Sequence, residues 1–332
     1  MKIVKWLLIA LGIYILYTTV EAVGFKTIMG HIVSLKFQLL PLLFFYPFIF
    51  YFDTLGWSYS FPKKLPDNIP LRNLYFIRIV GETLNAVIPF SASLGGEPVK
   101  AELLKRRYDI PLSEGFASIL IVHTTFWISL NLFVIGGIVM TLKTLPLTPL
   151  LWNSVLIFLI VLGTVAVLLI IGLHYGIFRQ VHAIGNKWKW WGTFSYAKAK
   201  KFLKLDDQIK RFYTTNPKRF LFSIFFNFLG WFTGVFEVYY MAKILNMPIG
   251  FAEAWLFEAL IQVLRIVTFF IPSSIGAQEG GIVLIFSQFG FPKQLSLTFA
   301  ILRRVREIAW ISFGLTLWSF IEDKPVISPK KR

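Results

Sequence analysis

NAVIPFSASLGGEPVK, Asn85 to Lys100, and TFFIPSSIGAQEGG, Thr268 to Gly281, are two versions of one passage. Each runs from apolar residues through a proline and small polar residues to glycine and then glutamate, Glu97 or Glu279. Each is followed by a second proline, Pro111 or Pro292, and twelve residues beyond it stands a basic side chain, His123 or Arg304. Seven residues before the first proline stands Glu82 in one copy and Arg265 in the other. Proline removes a backbone donor and glycine admits torsions that other residues avoid, so each passage should break a helix. Pro89, Gly95 and Gly96 shape the first break, Pro272 and Gly276 the second.

The surroundings of these breaks are apolar. Of 332 residues, 56% are hydrophobic and 15% are charged, where soluble domains carry about a quarter charged. Several apolar runs reach the ~20 residues a membrane-spanning helix requires. The expected fold is an all-α polytopic membrane protein, one integral membrane domain over residues 1–332. Broken helices at membrane depth are tolerated only where protein buries them or a wet cavity meets them. Two of them in corresponding halves point to a transport site. A net charge of +17 suggests nucleic acid in a soluble chain, but here the positive-inside rule and anionic lipid account for it. Cysteine is absent and the four histidines are scattered, so thiol chemistry is excluded and neither a metal nor a cofactor is expected.

In chain order, the expected spans are Lys2–Val20 (read as an uncleaved anchor rather than a signal peptide), Gln38–Phe52, Ser113–Leu142, Leu150–Gly176, Phe220–Leu245 and Leu295–Phe320. An aromatic, proline-rich loop is expected over Trp57–Pro70. About six full spans are joined by two re-entrant or broken hairpins, residues 74–107 in the first half (1–176) and 252–290 in the second half (220–332). Residues 177–219 form a basic linker; Phe178–Arg219 holds eleven Lys and Arg against two acids. Phe202, Leu205, Ile209 and Phe212 recur there at helical spacing, which predicts an amphipathic interfacial helix, and Trp188, Trp190 and Trp191 suit the headgroup belt.

The basic linker, the Lys105-Arg106-Arg107 cluster and both termini carry the excess Lys and Arg, which predicts that all of them are cytoplasmic. With this parity the hairpins enter from opposite sides, an inverted-topology repeat.

Charges then fall inside the membrane, each costing about 3 kcal/mol on insertion scales. Arg303, Arg304, Arg306 and Glu307 lie on the last span, Arg265 on the second hairpin, Arg78 and Glu82 on the first, and His123 within its span. Arg303 or Arg304 is within helical reach of Glu307, and three arginines against one glutamate leave cation to spare. Spare arginine beside half-helix N-termini with open N–H groups suits a phosphate. Arg265, Arg303 and Arg304 are the expected phosphate contacts, with Glu97, Glu279, Glu307, Glu82 and His123 completing a lipid-binding site. The bland alternative is that these charges only neutralise one another and hold the halves together.

NAVIPFSASLGGEPVKAELL, IPSSIGAQEGG and the AILRRVREI run of the last span resemble the lysylphosphatidylglycerol synthase transmembrane-region family, over nearly the whole chain. That resemblance implies movement of phospholipids or isoprenoid-linked lipids between the leaflets of a prokaryotic plasma membrane. No soluble aminoacyltransferase domain follows Arg332, which puts lysyl-phosphatidylglycerol itself in doubt as the substrate; stand-alone members of the family are associated with varied lipids, including hopanoid and glycosylated polyprenyl carriers. The function expected is a non-enzymatic lipid translocase whose partners are anionic membrane lipids. The competing readings are a scaffold for a lipid-synthesis enzyme and an intramembrane headgroup enzyme.

Overall fold

The computed structural model describes residues 30, 33–65, 69–87, 95–141, 149–176, 196–268, 271 and 274–322. The first expected span, Pro89, Pro272, the three linker tryptophans and the C-terminal tail lie outside the described residues. The fold is all-α, with no strand among the described residues. The helices are α1 (Leu40–Tyr59), α2 (Leu71–Val87), α3 (Glu97–Tyr108), α4 (Leu112–Thr141), α5 (Pro149–Tyr175), α6 (Tyr196–Thr215), α7 (Pro217–Ile244), α8 (Phe251–Val267), α9 (Ala277–Gln288) and α10 (Lys293–Glu322).

The two quoted passages separate matching sets of helices. In each half a 17-residue helix precedes the break, a 12-residue helix follows it, and a 30-residue helix comes next. Proline opens the return arm α3, where its missing N–H costs nothing, and Asp109 ends that helix in the left-handed region at φ 55°. Gly276, at φ 78°, starts α9 with a torsion that side chains resist.

Packing repeats the same symmetry. α3 packs on α4 and α9 on α10, while the leading arms exchange partners: α2 packs on α10 and α8 on α4. α1 and α7 cross antiparallel, with Ser60 Oγ 2.8 Å from Ser223 Oγ at one end and Tyr240 Oη donating to Gln38 O at 2.8 Å toward the other. The Gly136-Gly137 pair forms a notch on α4 for Trp255 of α8, whose indole donates to Phe133 O at 2.9 Å. One large apolar core runs through α1, α4, α7, α8, α9 and α10, and a second joins α1, α2, α3 and α4.

Three helical stretches, Phe37–Tyr59, Leu112–Thr141 and Pro217–Ile244, are long and apolar enough to cross a membrane. Two expectations change. Trp57 belongs to α1, not to a loop: it is fully buried, stacks on Phe61 and donates to Ser118 Oγ at 3.0 Å. Leu205, Ile209 and Phe212 of α6 are buried with Ala117 and Ile121 of α4, so these three positions face protein, not lipid. A stripe of apolar residues looks the same in sequence whether lipid or protein covers it.

Candidate functional site

Each break gathers a cluster of charge. In the first half, Glu97 opens α3 and is buried. Its Oε1 lies 2.7 Å from Lys100 Nζ, 3.1 Å from Asn85 Nδ2 and 3.4 Å from His123 Nε2. Lys100 also reaches Glu82 at 3.1 Å, and its ammonium sits 5.7 Å from the centre of the Trp57 ring. Arg78 bridges Glu82 at 3.6 Å and Asp53 of α1 at 3.2 Å. A buried lysine is tolerable here because two carboxylates and an aromatic face replace its water.

In the second half, Glu279 receives Arg304 Nε at 2.6 Å, and Arg304 also reaches Glu307 at 2.9 Å. Arg303 is buried and donates to Glu258 at 2.6 Å, while Gln262 holds the other oxygen of that carboxylate at 2.5 Å. Arg306 pairs with Glu237 of α7, donates to Tyr46 Oη at 2.9 Å and lies 4.0 Å from the Tyr46 ring centre. Arg265 is exposed and acts on Glu307 through its charge.

The equivalences read from spacing therefore hold in space. The hairpin glutamate of each half meets the basic residue twelve positions beyond the second proline: Glu97 meets His123, and Glu279 meets Arg304. Of three other expectations, two are narrowed and one fails. Of the two pairings open to Glu307, Arg304 makes one, with Arg306 beside it, and Arg303 goes to Glu258 instead. At each hairpin N-terminus the N-cap N–H is already taken, because Gly96 N donates to Asn85 Oδ1 at 2.7 Å and Gly276 N to Glu279 Oε2 at 2.7 Å. Nor does the second half hold spare cation, since Glu237, Glu258, Glu279 and Glu307 balance Arg265, Arg303, Arg304 and Arg306. The imbalance lies in the first half: Asp53, Glu82 and Glu97 outnumber Arg78 and Lys100.

Asp53, Glu237 and Glu258 were missed in the sequence reading. The signal was there, because a lone carboxylate in an apolar run needs a partner or a purpose. Exposure separates the cluster members. Arg303 is 2% exposed and locked in place, while the side chains of Glu82 and His123 retain 30% and 33% of their surface. Arg265 and, in part, Arg304 are likewise reachable. Arg303 is therefore a tie between α10 and α8, and Arg265 and Arg304 are the arginines of the original set that a ligand can approach.

The chain matches the family model Lysylphosphatidylglycerol synthase TM region over residues 4–313, and it belongs to that family. It is thereby a membrane protein with a lipid-related role. No curated protein and no solved structure matches it.

Proposed function

We propose that this chain is a lipid translocase of a prokaryotic plasma membrane, with cytoplasmic termini and six spans. In this reading α2–α3 and α8–α9 are re-entrant hairpins of an inverted repeat, lodged from opposite faces. A phospholipid or isoprenoid-linked lipid lays its headgroup between them while its tails stay in the bilayer. Arg265 and Arg304 contact the phosphate, and Glu82 and His123 meet the rest of the headgroup. No bond is made or broken, so no nucleophile, metal or cofactor enters.

The observation that carries this reading is the pair of helix interruptions, each followed by a buried carboxylate that meets a basic side chain and each leaving part of its cluster reachable. Purified protein in liposomes holding a fluorescent anionic phospholipid tests it. Added dithionite should bleach both leaflets with the protein and only the outer leaflet without it. Bleaching confined to one leaflet, with intact protein, refutes translocation.

A scaffold for a lipid-modifying enzyme is the second reading. It draws on the exposed basic residues Lys63, Lys64, Arg72, Lys105, Arg106, Lys210 and Arg211. It predicts that neutralising those residues abolishes function while hairpin substitutions do not.

A further inference from the structure

Both halves set a hairpin carboxylate against a basic residue of the following long helix, but with different chemistry. Arg304 is charged at any physiological pH and closes on Glu279 at 2.6 Å. His123 is charged only after it takes up a proton. Its Nε2 is buried, stands 3.4 Å from Glu97 Oε1, and makes no hydrogen bond. Glu97 Oε2 is also buried without a hydrogen-bond partner. Around this gap, three carboxylates oppose two fixed cations. An unbalanced buried charge is costly, and one proton taken up in the cluster removes the imbalance; Asp53 and His123 can both accept it, and His123 is the one set against Glu97.

We propose that His123 and Glu97 form a proton-binding site whose occupation latches α3 to α4, coupling proton uptake to the movement of the hairpin. The proton adds to the lone pair of Nε2 and leaves by the same route, so no heavy-atom bond changes. Protonated His123 then does what Arg304 does permanently: it donates a charge-assisted hydrogen bond to the hairpin carboxylate. Loss of the proton releases that latch while Arg304 keeps the other closed. The partly exposed side chains of His123 and Glu82 give the proton its way in.

The charged groups tied by contact to the Glu97–His123 pair are Lys100 from α3, Glu82 and Arg78 behind them on α2, and Asp53 on α1. The other helices that pack on α4 carry Asp206 and Tyr213 (α6), Glu237 (α7), and Glu258 and Arg265 (α8). Glu97 is the one acid within 4.0 Å of His123 among the described residues.

Histidine-labelled protein in lipid nanodiscs gives the test by nuclear magnetic resonance, and with four histidines the His123 signal is assigned by its loss in His123→Gln. The midpoint of its pH response should differ from the native one in Glu97→Gln and match it in Glu279→Gln. Lys100→Met, which removes the competing cation beside Glu97, should move it in the sense opposite to Glu97→Gln. A midpoint that moves in neither the Glu97 nor the Lys100 variant overturns the site, and having both variants covers a failure of either to fold. Coupling is read separately and rests on the translocase reading. Lipid movement in liposomes should change several-fold between about pH 5.5 and 8 in the native protein and be flat in His123→Arg. The same pH profile in both overturns coupling. No lipid movement by the native protein at any pH removes the translocase reading, and resonance alone then decides the proton site.

Discussion

Arg303→Met should be among the most destabilising single changes on α10. The guanidinium is buried, and its Nη1 lies 2.6 Å from Glu258 Oε2. Gln262 occupies the other oxygen at 2.5 Å, so both oxygens of Glu258 are engaged, while Arg303 Nε is buried without a partner. Removing one member of such a pair strands the other charge, at a cost of about 3–5 kcal/mol. Glu258→Gln should cost a similar amount by stranding Arg303. In the double variant neither charge remains, so its cost should be smaller than the sum of the singles by about 2–3 kcal/mol. Reversible unfolding of the four proteins in mixed detergent micelles measures the cycle. Single losses under about 1 kcal/mol, or additivity within about 0.5 kcal/mol, would mean that the pair is not a structural tie. Arg303 would then return to the set of ligand contacts.

Gly136→Val should destabilise by about 1–3 kcal/mol, because a Cβ there would sit 2.6 Å from Trp255 Cζ2. Gly163→Val, where nothing lies within 4 Å, should be neutral in the same unfolding assay, and equal effects would discredit the notch. Glu97→Gln and Glu279→Gln should each slow lipid movement with expression near normal; native rates in both would reduce these carboxylates to packing features. Arg304→Ala should weaken binding of an anionic lipid more than tenfold, Arg304→Lys less and His123→Ala least, and equal binding by all three folded variants would dismiss the phosphate contact. The exposed Lys210, changed to cysteine in this cysteine-free chain, should resist an impermeant maleimide in intact cells and react after permeabilisation; labelling in intact cells reverses the topology.

The breaks and their glutamates were legible because they are local events. Proline, glycine and carboxylate mark a helix interruption wherever they occur, and a fixed helical rise carries the spacing to His123 and Arg304 into space. What stayed hidden depends on elements far apart in the chain. Nothing near Arg303 announces that Glu258, not Glu307, receives it. Asn85 reads as an ordinary polar residue of a helix end, yet its oxygen takes Gly96 N and its nitrogen holds Glu97. The burial of α6 could not be read either, because Ala117 and Ile121, which cover it, sit on a different helix with no distinguishing pattern.

The exchange of leading arms between the halves bears on how such a chain can be assembled. α4 needs α8 and α10 needs α2, so each half completes the other. The two halves are thus related as the subunits of an antiparallel dimer are, each supplying an arm to the other. The peptide joining α5 to α6 turns their encounter into an intramolecular one, raising the effective concentration of the partner to the millimolar range. Fragments 1–176 and 177–332, made as two polypeptides in one membrane, therefore carry all the surfaces needed to recombine.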